Sequence, residues 1–287
     1  MEEEIERLLK ENDKRNAVLF APFNPLTGEG AILEREWIEI PDFDIPRQYV
    51  PKAMLEEPFV KAVLRCGSLA KFLGASGRPE IGKEALSETL IRIRCKHDFC
   101  FWAFVFARIK NKEGGDDIPF SLNLPQRMLV SVFEEMRLAG APIRVIVLKA
   151  RQWGGSTVTQ IYMSWIQLVH KTGWNSLIVG HTKDASVEVK GMFDKLIQAY
   201  PLEMMYDVGA SFKDNEPKFM TEAASGNIFK IPQRNCKVKI GTAVEPPRVA
   251  ATPRLYIAPR WRFGRRPRAR HRRRLCVPLA PVPALCL

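Results

Sequence analysis

Lys149-Ala150-Arg151-Gln152-Trp153-Gly154-Gly155-Ser156 follows the apolar run Ile143-Arg144-Val145-Ile146-Val147-Leu148 and opens a helix-compatible stretch. A glycine-bearing segment between a strand and a helix reads as a phosphate-binding loop, because small residues let backbone N–H groups curl around phosphate oxygens. The usual pattern G-x-x-x-x-G-K-[ST] is met at two of its four positions, Gly154 and Ser156. Lys149 stands where the first glycine belongs, and Gly155 where the lysine belongs. The chemistry survives that rearrangement. The backbone from Gln152 to Ser156 can cradle phosphate, and Lys149 can reach the same oxygens from the start of the loop. Ser156 falls in the first turn of the helix, where its hydroxyl is placed to ligate Mg²⁺ and the helix N-terminus adds its positive end. The competing reading of the loop alone is an ordinary strand-to-helix turn that happens to hold Gly-Gly-Ser.

The order of elements downstream agrees with the first reading. Thr157 to Val169 predicts a helix buried against a sheet, and Asn175 to Thr182 the next strand. Asp184 caps a helix through about Tyr200, closed by Pro201. Asn235 to Thr242 alternates as a third strand. Strands alternating with helices imply α/β architecture, a parallel sheet flanked by helices, with ligand at the carboxyl end of the first strand.

The run from Lys149 through Thr157, with its lysine moved to the start of the loop, resembles the deviant Walker A of the large terminase subunits of tailed bacteriophages. The similarity extends upstream to Asp117-Ile118-Pro119-Phe120-Ser121-Leu122-Asn123-Leu124-Pro125-Gln126, which looks like that family's adenine-recognition segment. Gln126 lies 23 residues before Lys149, and its amide can pair in bidentate fashion with an adenine edge. The resemblance implies a P-loop NTPase-like core of the ASCE type, binding ATP and Mg²⁺. The ATP-binding set it implies is Gln126, Lys149, Arg151, Gln152, Trp153, Gly154, Gly155, Ser156 and Thr157, with Ser156 on Mg²⁺. A surface salt bridge would explain Arg151 equally well. The intact relative couples ATP hydrolysis to movement of double-stranded phage DNA into a procapsid, works with a small terminase subunit and the portal, and cuts concatemeric DNA.

Length and composition bound the rest. The 287 residues are 46% hydrophobic, enough for a core. Phe99 to Ile109 is too short to span a membrane and is broken by Arg108, so it reads as a buried helix. The acidic start Met1-Glu2-Glu3-Glu4 leads into an amphipathic helix over Glu4–Lys14 and is no signal peptide, which points to the host cytoplasm. Asn24-Pro25-Leu26-Thr27-Gly28 reads as a turn, and Leu69 to Gly77 as a short helix ending in glycine. Cys95-x-His97-x-x-Cys100 offers three metal ligands and no fourth, so free buried thiols are the reading. His97-Asp98 could be an acid/base pair, but neighbours on a helix point in different directions.

The chain changes character after Thr242. Residues 243–287 hold 11 Arg, no Lys, 8 Pro and the single acid Glu245, a formal +10. Of the total of +12, the first 242 residues carry only +2. One reading is a nucleic-acid segment in which Arg260, Arg262, Arg265 and Arg266, interleaved with Trp261 and Phe263, contact phosphates and stack on bases. A second is a disordered, solvated terminus. A third is a frameshift: back-translation from Arg248 permits R-G-D followed by an apolar strand ending in an acid, as the resembled family shows at Walker B. The frameshift accounts for composition, position and missing motif together.

The expected organisation is a mainly helical N-terminal subdomain at 1–114, a partial P-loop ATPase core at 115–242 and an Arg/Pro-rich tail at 243–287, disordered or out of frame. The sheet is incomplete, because no Walker B acid or catalytic Glu is legible and the nuclease portion of the resembled family is not matched. Val132-Phe133-Glu134-Glu135 reads as a solvated helix face, and Asp207 lacks a strand before it. The expected function is the ATP-binding portion of a DNA-packaging motor, truncated in this chain. A helicase-like P-loop motor and a non-enzymatic basic nucleic-acid-binding protein remain as alternatives.

Overall fold

The computed structural model describes residues 2–20, 22–77, 82–111, 113–147, 153–180, 183–206, 211, 213, 216–221, 228–242 and 256–257. It is a mixed α/β fold with two cores, and Ile45 and Ile91 pack against both. The first core gathers around a two-stranded antiparallel ribbon, β1 (Arg35–Glu39) and β2 (Arg47–Pro51). Four helices follow: α2 (Lys52–Leu55), α3 (Pro58–Cys66), α4 (Leu69–Ser76) and α5 (Lys83–His97). Ribbon and helices together bury Ile40, Val50, Met54, Val60, Val63, Leu69 and Leu90. Each fully buried side chain of this size contributes about 1.5–3 kcal/mol.

Local chemistry sets the ends of these helices. Pro58 opens α3 at a position where no N–H is needed, and Gly67 closes it in the left-handed region at φ 79°. At α4 the Ser68 side chain accepts from Lys71 N at 3.1 Å. The Asp42 carboxylate accepts from Leu69 N and Ala70 N at 2.8 Å each, placing negative charge on the helix's positive end. The expected helix ending at Gly77 is therefore present. So is the turn at residues 24–28, where Asn24 Oδ1 accepts from Leu26 N and Thr27 N. The amphipathic helix expected over Glu4–Lys14 extends further, as α1 (Glu2–Phe20), with Ile5, Leu8 and Leu9 on an exposed stripe.

The second core is larger. Helix α6 (Phe99–Phe106) is the expected buried apolar helix, but it stops at Ala107. Arg108–Ile109 instead forms β3, paired with β4 (Ile118–Pro119). Around α6 pack α7 (Leu124–Leu138), α8 (Gly155–Trp165) and α9 (Lys183–Ala199), with Phe99, Trp102, Tyr162, Trp165 and Tyr200 in one aromatic cluster. The helix expected over Thr157–Val169 begins two residues earlier and ends in a π-helical turn, Ile166–His170.

The sheet beneath has the order β6-β7-β8-β5-β9, from β6 (Met220–Thr221), β7 (Ile228–Ile231), β8 (Cys236–Thr242), β5 (Asn175–Gly180) and β9 (Tyr256–Ile257). β5 pairs in parallel with β8 and β9, while β6, β7 and β8 pair antiparallel. The sheet is thus mixed where a parallel one was expected. β5 is buried along residues 176–180, as a strand covered on both faces must be. β9 is the part of the tail that is described.

One expected strand is not formed. Over residues 143–147 Ile143 and Val145 pack against the core while Ile146 is 92% exposed, so a period-two pattern exists without a ladder. An alternating segment becomes a strand only when a neighbour pairs with it, and none does among the described residues.

Three further expectations need correction or placing. Glu134 does not lie on a solvated face: it is 4% exposed, accepts from Tyr162 Oη at 2.6 Å and is gripped by Arg137 at 2.7 and 2.8 Å. Only Glu135 of that acidic pair faces solvent. Asp184 sits inside the first turn of α9. Asp207 lies outside the described residues.

Candidate nucleotide-binding site

The chain leaves α8 through the π-helical turn and residues 171–174 into β5, and Gln167 Nε2 donates to Trp174 O at 3.1 Å and to Lys237 O at 3.4 Å, which sets the end of that helix at the amino ends of β5 and β8 and its first turn toward their carboxyl ends. Thr157 Oγ1 lies 3.7 Å from Met192 Sδ, and Gln160 Nε2 donates to Val189 O at 2.8 Å, which sets the first two turns of α8 beside the middle of α9. Ser186 Oγ in turn donates to Gly241 O at 2.9 Å near the end of β8.

Gly154 is the N-cap of α8, with φ 80°, and its carbonyl accepts the first helical bond from Val158 N at 3.0 Å. Only glycine adopts that backbone routinely, and a Cβ there would also collide with Gln126 Nε2. At Gly155 a Cβ would stand 2.7 Å from Cζ2 of the Trp153 indole. Backbone conformation thus favours glycine at 154, and contact with the indole favours it at 155. The N–H groups of Gly155, Ser156 and Thr157 belong to the set that a helix start leaves without intrahelical acceptors. Ser156 is exposed beside them.

The segment expected to recognise adenine reaches this loop. Asn123 and Gln126 form a reciprocal capping box at the start of α7: Gln126 N donates to Asn123 Oδ1 and Asn123 N to Gln126 Oε1, both at 3.0 Å. Gln126 Nε2 donates onward to Trp153 O at 3.2 Å and Gly154 O at 3.3 Å, and Asn123 Nδ2 to Trp153 O at 3.2 Å. Of the expected ATP-binding residues, Gln126, Trp153, Gly154, Gly155, Ser156 and Thr157 are thus assembled at one place. Lys149, Arg151 and Gln152 lie outside the described residues, as do Arg260, Arg262, Arg265 and Arg266. Sequence reasoning missed Asn123, although Asn-x-x-Gln ahead of an apolar helix is a capping signature.

The other candidate cluster serves structure. Asp98 is the N-cap of α6 and accepts from Phe101 N at 3.2 Å. Its carboxylate also takes a bidentate pair from Arg35 at 2.5 and 2.8 Å, with Arg94 Nε 3.5 Å away. Burial opposes ionisation of Asp98, but the two guanidinium groups outweigh it and hold the carboxyl below its ordinary range. His97 turns the other way, its Nε2 2.7 Å from Glu57 Oε1. Cys95 and Cys100 are free thiols; burial, with Asp98 nearby, pushes the Cys100 thiol up to about 12 and makes it inert. No cluster of metal-ligating side chains occurs among the described residues, and no described helix is long and apolar enough to cross a membrane.

Searches of protein-family models and of curated proteins find no match to this chain.

Proposed function

We propose that residues 115–242 form the ATP-binding portion of a DNA-packaging motor of the terminase large-subunit type, built on a P-loop core. The observation that carries this reading is the meeting of two segments singled out separately in the sequence. Gln126 and the loop carbonyls of Trp153 and Gly154 stand within hydrogen-bond distance across 27 and 28 residues of chain. A helix start at the carboxyl end of a sheet is where such a ligand binds.

The residues present fit a nucleoside triphosphate. The N–H groups of the first turn of α8 provide donors, and the Ser156 hydroxyl is exposed for a cation. Lys149 brings charge to the β and γ oxygens from the start of the loop. Bound MgATP supplies the phosphoryl group for transfer and the divalent charge that neutralises it. The intact motor's partners in this reading are double-stranded DNA, a small terminase subunit and the portal of a procapsid.

Binding tests this reading most directly. Calorimetry with a non-hydrolysable ATP analogue and Mg²⁺ is expected to show saturable binding to the wild-type chain and none to Lys149→Ala. Equal affinity in the two proteins rejects the assignment. A helicase-like motor would bind the same analogue, and duplex unwinding without any procapsid requirement would identify it.

A further inference from the structure

Resting on the nucleotide-site reading for its purpose, we infer that Asn123 is a positioning residue of the phosphate loop, holding the loop's exit in shape when Gln126 turns to a base. Asn123 uses both ends of one amide. Oδ1 caps α7 by accepting from Gln126 N, and Nδ2 reaches Trp153 O at 3.2 Å. Trp153 O also receives Gln126 Nε2, so both of its lone pairs point at α7.

Planarity of the peptide turns this into a statement about donors. In a trans peptide the N–H points opposite to the carbonyl it follows. Pinning Trp153 O and Gly154 O toward α7 and the helix body therefore turns the N–H groups of Gly154 and Gly155 outward, where an anion would lie. The clasp fixes the direction of two backbone donors before any ligand arrives.

Gln126 cannot serve clasp and base together. Both Nε2 hydrogens are engaged by loop carbonyls and one Oε1 lone pair by Asn123 N, leaving a single acceptor lone pair. Pairing with adenine as donor and acceptor releases at least one carbonyl. Asn123 Nδ2 is then the donor that still holds Trp153 O, so base recognition and loop shape are coupled through these two amides.

Asn123→Ser separates the clasp from the cap, because serine caps a helix about as well as asparagine but has no amide donor to reach the loop. Loss of one such bond is expected to lower the NMR backbone order parameters at Gly154 and Gly155 and to weaken the ATP analogue about three- to ten-fold, at unchanged melting temperature. Unchanged order parameters at those amides overturn the inference. If wild-type protein fails to bind the analogue, the nucleotide reading falls, while the order-parameter comparison still decides the clasp. Should the serine variant lose stability as a whole, Asn123→Asp keeps the cap, lacks the donor and carries the same comparison.

Discussion

Two polar sites in this molecule are built from similar parts and finished differently. At Asp98 a helix N-terminus meets a carboxylate, two guanidinium groups close over it, and the side chain is 1% exposed. At Gly154 a second helix N-terminus meets the Gln126 amide and the Trp153 indole, and the hydroxyl beside it, Ser156, faces solvent. The first site has its anion in the protein; in the proposed reading the second keeps its donors for a ligand. Buried charge paired within the protein joins the two cores, whereas donors left at an open helix end can serve a ligand.

The largest expected effect follows at the closed site. Asp98→Asn leaves Arg35 and Arg94 buried without their counter-charge, and breaking a buried pair from one side costs about 3–5 kcal/mol. Urea unfolding of the variant measures this, and a loss below about 1 kcal/mol would break the distinction drawn here. The pH dependence has a definite sign. A carboxyl held below its unfolded value of about 3.9 contributes fully above that pH and loses its contribution as pH falls through the folded value. Acid unfolding of the wild type is therefore expected to be steeper than that of Asp98→Asn.

At the open site Gly154→Ala is expected to cost about 1–3 kcal/mol, from a left-handed backbone and the collision with Gln126. It should also abolish nucleotide binding, because the clasp cannot close around a Cβ. Retained affinity for the ATP analogue in a folded Gly154→Ala protein would separate loop shape from ligand binding.

His170 offers a titration between these extremes. Burial, with Arg137, His97 and Lys96 around it, pulls its pKa down to about 3, and its Nε2 has no hydrogen-bond partner. A histidine kept neutral in the fold contributes stability above the unfolded value of about 6.5, and that stability is lost progressively as pH falls toward the folded value. Stability is expected to drop by about 1–2 kcal/mol between pH 7 and pH 5. His170→Phe, which retains the ring that packs edge-on against Trp165 at 4.4 Å, should flatten that slope. An identical slope in the variant would assign the pH dependence to other groups.

What the sequence made legible follows the same division. The candidate phosphate loop is contiguous, so its composition can be read along the chain, and the strand-helix order after it is carried by periodicity. Gln126 was reached through its place in a motif. Asp98 was legible only as a neighbour of His97, because its partner Arg35 lies 63 residues away and nothing local announces the pair. Glu134 was misread for a related reason: beside Glu135 it looks solvated, and Tyr162, 28 residues on, closes over it together with Arg137. The unformed strand over residues 143–147 shows the converse. Its apolar composition is local, but pairing is a property of its neighbour. Short-range patterns specify elements and loops, while buried charge is settled by contacts that sequence spacing does not contain.

The smallest effect sharpens the comparison most, because it holds distance constant. Arg137 meets Glu134 at 2.7 Å where the carboxylate side chain is 5% exposed. Lys195 meets Asp117 at the same 2.7 Å with side chains 53% and 33% exposed. If proximity set the energy, removing either acid would cost the same. Solvent screening and the entropy of two free side chains reduce an exposed pair to about 0.2–1 kcal/mol, whereas Glu134→Gln strands a guanidinium that burial has already desolvated. Asp117→Asn is therefore expected to shift the unfolding midpoint by a small fraction of the shift in Glu134→Gln, and high salt should erase the first difference but not the second. Equal shifts in the two variants would mean that burial does not distinguish the structural charges of this fold from its surface ones, and the contrast between Asp98 and the open end of α8 would lose its physical basis.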